Sequence, residues 1–144
     1  MVIKAHQKLK AWQIAMTLVK DIYRLTREFP AKEQYGLITQ MQRSSVSVPA
    51  NIAEGAARKS SREFRRFLLV ARGSLAEVET HLLIAEELAY TEHRRVREIR
   101  KNVDRLFGLL NGLIRKHESE VAEGRGTYRL RLASSTVSRL PSTH

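Results

Sequence analysis

Residues 46–55 read VSVPANIAEG, in a chain that otherwise repeats apolar residues every three or four positions. Pro49 lacks a backbone N–H and crowds the carbonyl of Ser45, which costs an ordinary helix interior about 3 kcal/mol. Yet the apolar stripe of Leu37, Ile38, Met41 and Ser45 continues in phase across it, through Val48 to Ile52. One kinked helix starting near residues 32–35 is therefore the favoured reading. The alternative is a break, with Ser47 capping a short second helix.

Three further helices follow from the same periodicity. The first spans residues 8–29, with Leu9, Trp12, Met16, Val19, Ile22, Tyr23 and Phe29 as its stripe and Pro30 as its stop. The third opens with Ser60 and Glu63 as a capping box. Its stripe is Phe64, Ala71, Leu75, Val78, Leu82, Ala85 and Ala89, widened by Phe67 and Leu68. The fourth begins near Thr91 and carries Val96, Ile99, Val103, Leu106, Leu110, Leu113 and His117. Sustained heptads and short connections predict an all-α, antiparallel up-down four-helix bundle over residues 1–123, packed near +20°. From residue 124 the periodicity ends. Residues 124–144 carry four arginines, no acid and many small polar residues, which predicts a flexible, disordered basic tail.

Composition narrows the function. There is no cysteine, so disulfides, thiolate chemistry and cysteine-ligated metals are excluded. No signal sequence and no apolar run of about 20 residues is visible, so a cytoplasmic location without membrane contact is expected. Lys and Arg number 26 against 15 Asp and Glu, a net charge of +11. Such a surplus attracts polyanions, nucleic acid above all, although it also serves solubility.

The small residues of the opening stretch have a use if the second and third helices pack antiparallel about a turn near residues 58–60. Ser44 and Ser45 then lie beside Gly73 and Ser74, and Ser47 lies beside residues 70–71. Backbones approach closely along such a seam, and Pro49 steers the helix around it. Asn51 and Glu54 either take charge-assisted bonds from Arg72 or Arg62, or stand exposed near a helix end.

The same residues carry a resemblance. LKAWQIAMTLVKDIY, REFPAKEQYGLITQMQRSSVSVPANIAEGAAR and FLLVARGSLAEVETHLLIAEELAY together resemble the four helix bundle protein family, also called the 23S rRNA-intervening-sequence protein family, over roughly residues 4–115. The resemblance implies a short bacterial protein, since some members are encoded within intervening sequences of large-subunit ribosomal RNA genes. It implies a homo-oligomer, because related bundles form homopentameric barrels. A distant relative is the accessory protein of diversity-generating retroelements, which binds a reverse transcriptase and its RNA; a reverse transcriptase is thus an implied partner.

Charge is unevenly placed. Residues 57–73 hold Arg58, Lys59, Arg62, Arg65, Arg66 and Arg72 against Glu63 alone, whereas residues 74–93 hold five glutamates and no Lys or Arg. This opposes the helix dipole, which prefers acids early and bases late. The fourth helix brings Arg94, Arg95, Arg97 and Arg100 back beside the acidic half. The basic half, facing only Glu118, Glu120 and Glu123, is expected to remain uncompensated. It serves either assembly between protomers or phosphates of RNA or DNA, with Arg94, Arg95 and Arg97 as further contacts. Most aromatics fall on or beside core stripes, Tyr128 of the tail being the exception, so phosphate-directed rather than base-specific binding is expected.

Catalytic and metal signatures are missing. Glu77 and His81 form E-x-x-x-H, not the E-x-x-H of di-iron bundles, and no phosphate-cradling glycine loop or nucleophile elbow occurs. The expectation is a non-catalytic protein with no cofactor and no metal. It would be an RNA-preferring, pentameric basic scaffold, or else an adaptor for another protein.

Overall fold

A computed structural model describes the backbone of residues 2–137 and the side chains of residues 2–125. Four helices, α1 (Lys10–Thr26), α2 (Leu37–Ala57), α3 (Ser61–Glu87) and α4 (His93–Val137), form an up-down antiparallel bundle. Each packs on its neighbours in sequence, α1 closes on α4, and α2–α3 is the most extensive pair. Short 3-10 turns, Ala5–Lys8 and Ala31–Glu33, precede α1 and α2.

The core follows the heptads on three helices. Met41, Val48 and Ile52 of α2, Leu68, Leu75, Val78 and Leu82 of α3, and Val103, Leu106 and Leu110 of α4 are completely buried. Of the α1 stripe expected over residues 8–29, Ile22 and Phe29 are buried and Leu9 and Trp12 pack against the core, but the rest of the inner face differs. Ala11, Ile14, Ala15, Leu18, Ile22 and Leu25 face the core, while Met16 and Tyr23 are exposed. This helix has apolar residues on more than one side. The small Ala11 and Ala15 also belong to the inner face, where close packing between helices suits their size.

Pro49 sits buried inside an uninterrupted α2. The apolar stripe supplies tertiary burial that offsets the missing hydrogen bond. Ser60 caps α3, its hydroxyl accepting from the Glu63 N–H at 3.4 Å. The Glu63 carboxylate turns instead to Arg66, at 3.0 Å. At its other end α3 closes with Ala89 at φ 58, where Ala89 N–H and Tyr90 N–H donate to the Glu86 and Ala85 carbonyls. That is a Schellman closure with alanine where glycine is usual, and Ala89 is exposed rather than part of the stripe. Beyond residue 123, where the sequence predicts a tail, α4 stays helical to Val137. Gly124 and Gly126 weaken a helix by about 1 kcal/mol each without forbidding it. Residues 138–144 of the expected tail lie outside the described residues.

The α2–α3 seam is close, but its pairing runs further along than expected. Ser47 Oγ meets Ser74 Oγ at 2.8 Å and Ser44 Oγ meets His81 Nδ1 at 3.2 Å. Side chains lean toward the N-terminus of their own helix, so antiparallel partners meet further along than Cα levels suggest. Ser45 is wholly buried, its hydroxyl bonded to the Gln42 carbonyl at 2.9 Å. Gly73 lies outside the seam, with nothing within 4 Å of the place its Cβ would occupy. Gly55 marks a tight point, for there a Cβ would stand 2.8 Å from Phe67 Cβ.

Candidate nucleic-acid interface

The α2–α3 turn forms one tip of the bundle. Arg58 ends α2, Lys59 takes the left-handed conformation at φ 53, and the first turns of α3 carry Arg62, Arg65 and Arg66. Phe67, buried under the turn, organises two of these cations. Its ring lies 4.5 Å from the Arg66 guanidinium carbon and 5.3 Å from that of Arg58. Cation–π contacts of this kind are worth about 0.5–1 kcal/mol at exposed sites and restrict where the guanidinium groups point. Read from sequence, Phe67 is core alone. Its platform role depends on the turn folding Arg58 back over it.

The tip is less bare than its charge pattern predicts. Arg58 pairs with Glu54 at 3.1 Å, Arg66 with Glu63 at 3.0 Å, and Arg65 reaches across to Glu118 of α4 at 3.6 Å. Lys59 and Arg62 are exposed and make no ion pair among the described residues. All three pairs are solvent-exposed, where such contacts contribute about 0–1 kcal/mol. A phosphate can therefore replace a carboxylate at little cost. The Arg66 bond is the main cause of the lowered proton affinity of Glu63.

Arg94, Arg95 and Arg97 are not part of this tip. They open α4, next to the α3–α4 connection, at the far end of the 27-residue α3. A helix of that length spans about 40 Å. Arg95 is held by Glu28 at 2.6 Å and Arg94 by Glu98 at 3.3 Å, while Arg97 makes no ion pair among the described residues. The expected pairing of α4 with the acidic half of α3 comes down to Arg100 with Glu79 at 3.4 Å and His93 with Glu86 at 2.9 Å.

The polar seam residues are absorbed into packing. Asn51 donates to the carbonyl and hydroxyl of Ser47 at 2.8 and 2.9 Å. Glu54 stays exposed with Arg58, and Arg72 turns away from the seam to donate to Asn111 of α4 at 3.0 Å. Behind the tip lies a cluster that the sequence did not reveal: Ser61, His117 and Glu120. His117 stacks on Phe64 at 4.6 Å, and its Nδ1 lies 3.1 Å from both Ser61 Oγ and Glu120 Oε2. Ser61 also donates to the Glu120 carboxylate, which is the largest cause of that carboxyl's lowered pKa. In a nucleophilic triad the hydroxyl and the carboxylate sit on opposite ring nitrogens. Here both meet the same nitrogen, so the arrangement ties α3 to α4.

Among the described residues no group of three or more His, Cys, Asp or Glu side chains is placed to hold a metal ion. No described helix is long and apolar enough to cross a membrane.

Fold and tip together define a small all-α bundle with a tightly closed α2–α3 seam and a cationic end. A sequence profile of the 23S rRNA-intervening sequence protein family matches residues 7–112, and the chain belongs to that family. Its fold is similar to that of a protein of unknown function from the S23 ribosomal protein family of Bacteroides thetaiotaomicron. The TM-score is 0.66 at 23% identity, covering 72% of this chain and 97% of the other. No curated protein matches the chain.

Proposed function

We propose that this protein is a non-catalytic, cytoplasmic accessory protein that binds nucleic acid through phosphates, RNA in preference to DNA. It acts as a homo-oligomeric, pentameric scaffold that repeats its basic tip around a ring. One observation carries this reading. Arg58 and Arg66 are held over Phe67, and beside them stand Lys59 and Arg62, which make no ion pair among the described residues, so four cations gather at one turn and two of them are preorganised. Repetition multiplies weak phosphate contacts through effective concentration.

Gel-shift titration with structured RNA across a salt series tests it. Binding should weaken steeply with salt, with a log–log slope that flattens by about 0.7–0.9 for each phosphate contact removed. Changing Arg58, Lys59, Arg62, Arg65 and Arg66 to alanine should abolish it. Unchanged binding by that variant overturns the reading. Sedimentation of both proteins reports the assembled mass, and loss of assembly in the variant assigns the charges to subunit contacts instead.

A second reading, an adaptor for another protein such as a reverse transcriptase, draws on the exposed apolar residues Val70, Leu83 and Ile84 of α3 and Leu88 just after it. RNA binding that persists in isolation without any protein partner separates the two.

A further inference from the structure

A cleft of about 410 Å³ opens between the start of α3 and the distal part of α4, beside the tip. Arg62, Arg65 and Arg125 line it together with Glu118, Val121 and Ala122. We propose that this cleft holds a terminal phosphate monoester of a nucleic-acid strand, with the adjoining nucleoside lying against Val121 and Ala122. The proposal rests on the nucleic-acid reading of the tip and adds to it a preference for strand ends.

Charge, size and unsatisfied hydrogen bonding converge on this ligand. Among the described residues, three guanidinium groups against one carboxylate leave a lining of net charge +2. A phosphate monoester carries about −1.5 to −2 at neutral pH, whereas each internal phosphodiester carries a single charge. The volume falls in the range of about 300–1,000 Å³ typical of small-ligand clefts and has both a charged and an apolar wall. Arg65 is poorly satisfied. Its Nε is shielded from solvent without a hydrogen-bond partner, and its Nη2 lies 3.6 Å from Glu118. A strong charge-assisted bond is about 2.7–2.9 Å, so a phosphate oxygen offers Arg65 more than Glu118 does. Arg62 makes no ion pair among the described residues and is free to close over the ligand.

The other basic cleft, lined by Arg94, Arg97, Glu98 and Lys101, supplies a control. It has the same formal charge among its lining residues, but it is built on α4 alone and includes no apolar side chain of the kind Val121 and Ala122 supply.

The test compares one short single-stranded RNA carrying either a 5′-phosphate or a 5′-hydroxyl, bound to the full-length protein and followed by fluorescence anisotropy. Adenosine 5′-monophosphate, inorganic phosphate and adenosine serve as competitors. The phosphorylated strand should bind about tenfold more tightly, as expected for one or two added charge-assisted contacts. Adenosine monophosphate should compete better than phosphate, and adenosine should not compete. The surface variants Arg62→Gln and Arg125→Gln should abolish the discrimination, Glu118→Gln should increase it, and Arg97→Gln should leave it intact. Equal binding of the two strands overturns the end preference while the tip reading stands. Discrimination that survives both Arg62→Gln and Arg125→Gln overturns the cleft, and failure of both strands to bind overturns the cleft as well, while the structured-RNA gel shift decides the tip reading separately.

Discussion

Replacing Gly55 by alanine probes the α2–α3 seam at a point of close approach. The added Cβ would stand 2.8 Å from Phe67 Cβ, 2.9 Å from Phe64 Cδ2 and 3.4 Å from the Phe64 carbonyl oxygen. Ordinary carbon–carbon contact is about 3.5–4.0 Å, so the helices must separate by nearly 1 Å locally. Phe67 Cβ moves only with its backbone, which puts the strain near the top of the usual overpacking range, about 3 kcal/mol. Alanine recovers about 1 kcal/mol over glycine through helix propensity. The net expectation is a loss of about 2 kcal/mol. Gly73→Ala and Gly108→Ala are the matched controls, because nothing lies within 4 Å of either Cβ position and both are exposed. Those two should gain about 0.5–1 kcal/mol. Urea denaturation followed by circular dichroism reads the difference directly. In thermal melts at equal protein concentration the seam variant should melt below the controls by about 9 °C, at about 3 °C per kcal/mol. A Gly55→Ala protein as stable as Gly73→Ala would refute the close approach.

Two further expectations concern single residues. Ala89 pays for its left-handed φ of 58, so Ala89→Gly should raise stability by about 1 kcal/mol in the same assay, and a loss would contradict the Schellman closure. Burial holds the His81 imidazole below its ordinary 6.5, with Glu77 pulling the other way. The unfolded chain then takes up that proton more readily than the folded one. Stability is complete above about pH 6.5 and declines as pH falls below it, by at most about 1.4 kcal/mol per unit. The lowered Glu63 and Glu120 carboxyls add their losses only further into acid, below 4.5. His81→Gln should flatten the pH 5–6.5 part of the stability profile, and an unaltered slope would show that His81 is not the group responsible.

Much of the bundle was legible from periodicity. Helices α2, α3 and α4 bury nearly the residues their heptads select, and Ser60 caps where its spacing to Glu63 indicates. The α1 stripe was only partly legible: Ile22 and Phe29 are buried as expected, but apolar residues occupy two faces and contact with α2 and α4 chooses between them. At the candidate site the sequence supplied the five cations of the tip but not their setting. Arg94, Arg95 and Arg97 lie a helix length away, and Arg72 belongs to the α3–α4 contact. The Phe67 platform depends on the turn that brings Arg58 back over the ring, and the Ser61–His117–Glu120 tie joins Ser61 to residues far away in the chain; linear spacing encodes neither.

What the sequence by itself determined is the set of helices, their antiparallel order and the excess of positive charge, since each depends on local pattern and composition. Tertiary structure decided which α1 face turns inward, where α2 and α3 touch, and which arginines are ion-paired. Those outcomes depend on distances of a few ångströms between helices, set by how small residues such as Ala15, Ser47 and Gly55 let backbones approach.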